Sequence, residues 1–175
     1  QVNGENFFEV YNGHPTVHNS GDETHASTER MWDIVNTFRI AKLDLPVMYG
    51  LGTDDGHNYF EDSLGKGAQP GRGWVQVLTK SLDPDSLVTA LESGQFYSSS
   101  GVVLNEIWVK DRTMHVTVKA DEGVTYRVDF IGTRKGFDET STPSSDDAAT
   151  AEVLTRKYSD QIGTVLKTVC DVQAD

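Results

Sequence analysis

The spacing of apolar positions changes three times along the chain, and each change predicts a different kind of element. Phe7-Phe8-Glu9-Val10-Tyr11 is short, aromatic and β-branched and closes on Asn12-Gly13, which predicts a buried strand ending in a turn. His14 to Ala26 has Pro, Gly, Asn and Ser at intervals and no period, and so reads as a loop. From Ser27 onward, Met31, Ile34, Val35, Phe38 and Ala41 recur at three- and four-residue steps, the stripe of an amphipathic helix. Ser27 or Thr28 can supply its N-cap oxygen, and Glu29 suits its positive end. Leu45 to Gly52 is a second, nearly continuous apolar run. Strand, helix and strand together predict a parallel crossover unit, whose second strand runs into Thr53-Asp54-Asp55-Gly56-His57. A glycine-rich loop to Gly73 follows, then a strand from Trp74 to Thr79. A helix from Pro84 to about Ser93 comes next, with proline at its start and Gly94 as its stop.

After Gly101 the period drops to two. Ile107, Val109, His115, Val116, Val118, Tyr126, Val128, Phe130 and Ile131 lie in three segments separated by Asp111-Arg112 and Asp121-Glu122-Gly123, both read as hairpin-like turns. Asp138 to Thr150, built of Ser, Thr, Asp and Ala with one Pro, reads as a mobile loop. Glu152 to Tyr158 and Thr164 to Cys170 alternate again. This pattern predicts an α/β segment over residues 1–101 and an antiparallel, sandwich-like β module over 102–175. Trp32, Trp74 and Trp108 fall in periodic segments and are expected in the core. The lone Cys170 is expected as a small buried hydrophobe.

Fifteen Lys and Arg against twenty-seven Asp and Glu leave a net charge of −12. With no basic cluster and no basic, aromatic-interleaved strands, strong nucleic-acid binding and attachment to anionic lipid are disfavoured. No apolar run approaches the roughly 18 residues of a membrane span. A single cysteine excludes an intrachain disulfide and any thiolate metal motif. Acidity and low cysteine content leave the compartment open. The chain opens on Gln1 with no charged, apolar leader before it, which reads as processing, trimming or an incomplete reading frame.

Asp55-Gly56-His57 at the end of an apolar strand is the strongest chemical signal. A carboxylate and an imidazole two residues apart on a glycine-relaxed turn can face one point, and such oxygen and nitrogen donors suit zinc, manganese or iron. The competing reading is a turn aspartate beside a surface histidine. Glu9 interrupts an apolar strand and so must reach the strand end or find a partner. His14, His18 and His25 crowd the following loop, which invites a ligand role for Glu9 and His14. Pro15 forbids a helical His pair, however, and solvated loop histidines are the alternative. Arg72, between Gly71 and Gly73, is a phosphate clamp or a turn arginine in water. Ser98-Ser99-Ser100-Gly101 has no histidine or acid at triad spacing and reads as a structural turn.

Taken in order, Glu9-Val10-Tyr11-Asn12-Gly13, Trp32-Asp33, Tyr49 to His57, Gly71-Arg72-Gly73-Trp74 and Gly94 to Gly101 resemble the carboxyl-terminal part of a PHP domain. This is the polymerase and histidinol phosphatase superfamily, and the likeness is to bacterial members with an appended β domain. The resemblance implies the last strands and helices of a distorted (β/α)7 barrel that hydrolyses phosphate esters by metal-activated water. It implies Asp55 and His57 as ligands of a divalent metal. Glu9 matches a recurrent strand glutamate, Asp54 a frequent neighbour, and Arg72 a substrate contact. The substrate implied is a phosphorylated small molecule or nucleotide. The His-x-His motif that opens such domains does not precede Glu9, so the chain reads as a fragment with an incomplete site, with weak metal binding and little or no phosphoesterase activity. An uncovered edge of its parallel sheet would drive homo-oligomerisation. The alternative from another class is a non-catalytic binding or interaction module with a vestigial metal site.

Overall fold

Strand β1 (Phe7–Asn12) and strand β2 (Tyr49–Thr53) pair in parallel through the crossover helix α1 (Thr28–Lys42). The structure is a computed structural model, which describes residues 3–60, 65–143 and 156–172. Local chemistry accounts for α1: the Ser27 side chain accepts the Arg30 N–H at 3.1 Å, Glu29 lies in the first turn, and Arg39 and Lys42 lie in the last. Asn36 and Trp32 on α1 hold the approach to β2. The Asn36 amide donates to the Met48 carbonyl at 3.1 Å and accepts from Met48 N at 2.8 Å, and the indole N–H of Trp32 donates to the same carbonyl at 2.7 Å. Met48 is accordingly among the few fully buried side chains. Because these side chains take the strand's backbone groups, pairing begins only at Tyr49, four residues later than the apolar run predicts.

The remaining strand pairs are antiparallel. β3 (Trp74–Val77) pairs with β4 (Phe96–Ser99) across α2 (Pro84–Glu92), and β5 (Leu104–Lys110) with β6 (Thr113–Val118). β7 (Tyr126–Gly132) pairs with β10 (Thr164–Val172), and β8 (Ser141–Pro143) with β9 (Arg156–Tyr158). α2 carries Asp83 as N-cap, Pro84 at its first position and Gly94 at φ +70° just beyond its end. Asp111 and Arg112 both have positive φ, the two-residue turn whose twist suits a hairpin, as the sequence predicts.

The β-rich architecture overturns the expected barrel remnant. A (β/α)7 barrel needs each strand to be followed by a helix that returns the chain to a parallel neighbour. Here β1–β2 is the single parallel pair among the described residues, and the only helices there are α1 and α2. Among the described residues the strands form five separate two-stranded sheets, so the tail is not one sandwich there either. Asp121 to Gly123 does not close a hairpin, because β7 takes β10 as partner and not β6. Ser141–Pro143 forms β8 inside the stretch expected to be a mobile loop; residues 144–150 of that stretch, and 152–155 of the expected strand after it, lie outside the described residues. Trp108 is 45% exposed and stacks on His115 across β5–β6. Cys170 is exposed as well, on β10, which pairs with β7 alone among the described residues.

α1 also reaches residues of the tail. The Arg30 guanidinium donates to the carbonyls of Ile162 and, at 2.6 Å, Ser159. The Thr37 and Thr133 hydroxyls pair at 2.8 Å, and Phe38 packs on Phe137 and Tyr158. Ile162 is buried beneath this contact. The outer edge of β1 is occupied at its carboxyl end. The Asn19 side chain accepts from Asn12 N at 2.9 Å and donates to Asn12 O at 2.8 Å, while Thr28 Oγ1 donates to Val10 O. No helix among the described residues is long and apolar enough to cross a membrane.

Candidate functional site

The carboxyl ends of β1 and β2 place Glu9, His14, Asp55 and His57, the four residues expected as metal ligands, in one neighbourhood. Glu9 leaves β1, and Thr53, at the end of β2, donates its hydroxyl to Glu9 Oε1 at 2.6 Å. Between Glu9 and Tyr11 the β1–β2 register shifts, a bulge that inserts Val10. In a regular strand Glu9 and Asn12 would face opposite sides; the extra residue puts them on the same side. Asn12, 9% exposed, then donates from Nδ2 to Glu9 Oε2 at 3.1 Å and to Asp55 Oδ2 at 3.3 Å. Its Oδ1 accepts the His14 N–H at 2.8 Å, which fixes the amide with its donor toward the two carboxylates.

Asp55 adopts φ +48°, a left-handed conformation that aspartate tolerates better than most residues, and this folds its carboxylate back toward Asn12. The His57 ring is exposed and folds back on its own bend: its Nδ1 lies 2.6 Å from Asp55 O, and a carbonyl can only accept. The proton is therefore on Nδ1, leaving the Nε2 lone pair outward as a ligand or base. His14 meets His57 edge to face, ring centroids 5.5 Å apart. Its Nδ1 accepts from Thr16 N at 3.3 Å, so the neutral ring carries its proton on Nε2 and would have to give up that bond to ligate through Nε2.

Asp54 points away from this cluster. Its carboxylate accepts from Gly56 N at 3.1 Å and Gly71 N at 2.7 Å, pinning the glycine-rich loop to the end of β2. That loop sets the stem of Arg72 against Gly13, where an added Cβ would stand 2.8 Å from Arg72 Cβ. The guanidinium is turned onto its own loop and donates to Gly67 O at 3.1 Å. His18 and His25 are not part of the site. The His25 ring binds Asp22 in an exposed turn, and the Thr24 backbone N–H, with His25, holds the Asp22 carboxyl well below the usual carboxylate range. Ser98 serves the scaffold, its hydroxyl donating to Gly50 O at 2.7 Å and accepting from Gly52 N at 2.9 Å, which joins β4 to β2.

Sequence reasoning missed Asn12 and Thr53. Asn12 reads as one half of an Asn-Gly turn, and period-two reasoning places it away from Glu9; the bulge responsible has no sequence signal here. Two carboxylates gathered by one amide, with an outward imidazole nitrogen alongside, form a donor set suited to a hard or borderline divalent cation. Among the described residues, however, no group of three His, Cys, Asp or Glu side chains converges closely enough to enclose one. No protein-family model, curated protein or solved structure matches this chain, so the likeness to PHP domains rests on its quoted motifs alone.

Proposed function

We propose that the cleft at the ends of β1 and β2 is a weak divalent-cation site serving phosphate-ester hydrolysis. The observation that carries this reading is the Asn12 amide held between the Glu9 and Asp55 carboxylates, which concentrates negative charge at one point. Glu9 and Asp55 would hold the cation, with His57 and His14 able to join them only after their rings rotate. A bound divalent cation neutralises charge on a phosphate ester and lowers the pKa of water. The chain's own residues supply the rest: Thr53 and Asn12 orient the carboxylates, and Arg72, by leaving Gly67 O, can hold a phosphoryl oxygen bidentately. With few converging donors the cation is held loosely, and turnover by this chain is correspondingly slow.

Titration calorimetry with Mn²⁺ or Zn²⁺ tests the proposal. Saturable one-to-one binding that is lost in both Asp55→Ala and His57→Ala supports it. Absence of stoichiometric metal after supplementation overturns it and leaves the chain as a non-catalytic binding module. Hydrolysis of bis(p-nitrophenyl) phosphate that requires metal and disappears in the same variants would assign the chemistry.

A further inference from the structure

Asn12-Gly13 joins the two residues that the end of β1 can least replace. Asn12, buried, donates from Nδ2 to Glu9 and Asp55 and accepts the His14 N–H on Oδ1. A Cβ on residue 13 would stand 2.8 Å from Arg72 Cβ and 3.1 Å from Asp54 Cα, so packing against the turn after β2 favours glycine there. The same pair is the asparaginyl sequence most open to spontaneous deamidation, because glycine has no side chain to hinder attack by its own nitrogen. In that reaction the Gly13 amide nitrogen loses its proton to base and bonds to Asn12 Cγ. The Cγ–Nδ2 bond breaks, ammonia leaves, and a succinimide remains. Water then opens the ring at Cγ, giving aspartate, or at the Asn12 main-chain carbonyl, giving isoaspartate. One water is consumed and one ammonia released, with no oxidation or reduction.

The fold withholds the attacking atom. Gly13 N donates to Thr53 O at 2.8 Å, just past the paired residues Asn12 and Thr53. An N–H committed to a carbonyl neither gives up its proton readily nor turns toward Cγ. On the other side of β1, Asn19 bonds both Asn12 N and Asn12 O, at 2.9 and 2.8 Å, and so clamps the main chain at the reacting residue. A second pair of the same sequence, Asn3-Gly4, lies exposed before β1, with nothing within 4 Å of a Cβ placed on Gly4. We propose that Asn12-Gly13 is a latent deamidation site, closed while Gly13 N is bonded to Thr53 O and reactive in states where the ends of β1 and β2 part. Either product removes the donor that gathers Glu9 and Asp55. Aspartate puts a third negative charge between them, and isoaspartate lengthens the main chain by one carbon at the end of β1. The modification is irreversible and marks chains whose cleft has opened. It rests on these hydrogen bonds and not on the cation reading, and holds whether or not a cation binds.

The test incubates the full chain in mildly alkaline buffer with a chelator, cleaves it after glutamate, and follows the amide-to-acid change by mass spectrometry. Asn3 and Asn12 then fall in separate peptides, residues 1–5 and 10–23, and fragment ions separate Asn12 from Asn19. In the folded chain Asn12 is expected to react at least about tenfold more slowly than Asn3, because reaction through an open state is scaled by the fraction of time that state is populated. In urea sufficient to unfold the chain the two pairs should react at similar rates. Asn19→Ala, kept dilute so that it stays monomeric, should speed Asn12 at least about threefold through loss of the clamp and leave Asn3 unchanged. Equal rates at the two pairs in the folded chain, faster reaction at Asn12 than at Asn3, or a difference that persists in urea would overturn the proposal. So would an unchanged Asn12 rate in Asn19→Ala.

Discussion

Replacing Asn12 by aspartate converts the donor between Glu9 and Asp55 into a third carboxylate of almost identical shape. Two hydrogen bonds to carboxylates, at 3.1 and 3.3 Å, are lost. At these lengths, with both acceptors on exposed residues, each contributes about 1 kcal/mol. Two like-charge contacts replace them, each costing about 1 kcal/mol at near-aqueous screening. Asn12→Asp is therefore expected to lose about 4 kcal/mol in urea unfolding at neutral pH in the presence of a chelator, and Asn12→Ala, which adds no charge but also removes the acceptor of the His14 N–H, about 3 kcal/mol. The distinguishing feature is rescue. Three carboxylates form a better cation site than two, and binding to the folded state alone adds stability by mass action. Millimolar Mn²⁺ should return at least about half of the Asn12→Asp deficit and leave Asn12→Ala nearly unchanged. Acid should rescue as well, because the like charges raise the folded-state pKa of the new carboxyl. The like-charge part of the deficit is full above that raised value and disappears as pH falls through it to the unfolded value, while the part from the lost hydrogen bonds remains. A loss below about 1 kcal/mol, or a loss independent of both cation and pH, would refute the convergence of Glu9 and Asp55 on Asn12.

Arg30→Met removes the guanidinium that serves the Ile162 and Ser159 carbonyls and should cost about 2–3 kcal/mol in chemical denaturation; Arg30→Lys should recover part of it, and equal stability of all three proteins would show that α1 is not held to the tail by this contact. Gly73→Ala places a methyl group 2.9 Å from the Tyr11 ring and against the Thr53 carbonyl, and a melting experiment should show a loss of about 2–3 kcal/mol from overpacking. Asp83, the N-cap of α2, has its carboxyl held at about 2 from an ordinary 3.8, chiefly by the Ser86 backbone N–H. Its contribution is present above the unfolded value and is lost as pH falls through the folded one, so the Ser86 amide resonance should titrate near pH 2; a midpoint near 3.8 would remove the cap interaction. Asn19→Ala uncovers the backbone N–H and C=O of Asn12 at the β1 edge, and light scattering should show more self-association than the parent chain at micromolar concentration.

Elements whose cause lies within a few residues were legible from the amino-acid sequence by itself. The Ser27 cap and the 31–34–35–38 stripe placed α1, Pro84 and Gly94 bounded α2, and Asp111-Arg112 marked the β5–β6 turn, because caps, turns and helical periodicity act through neighbours along the chain. The β1–α1–β2 crossover was legible for a related reason: two apolar strands joined by a helix have few ways to pair. The same inference carried too far produced the barrel, since a parallel start does not oblige the next strands to continue it, and the described residues between β2 and β3 form no return helix. Tertiary structure alone decided the partners of β7, the exposure of Trp108 and Cys170, and the bulge at Val10. Each depends on which distant segment lies alongside. Asp55 and His57 stood out because their chemistry is written in adjacent residues. Asn12, the group that gathers the carboxylates, is brought to them by a one-residue shift in register, and register is settled only when two strands meet.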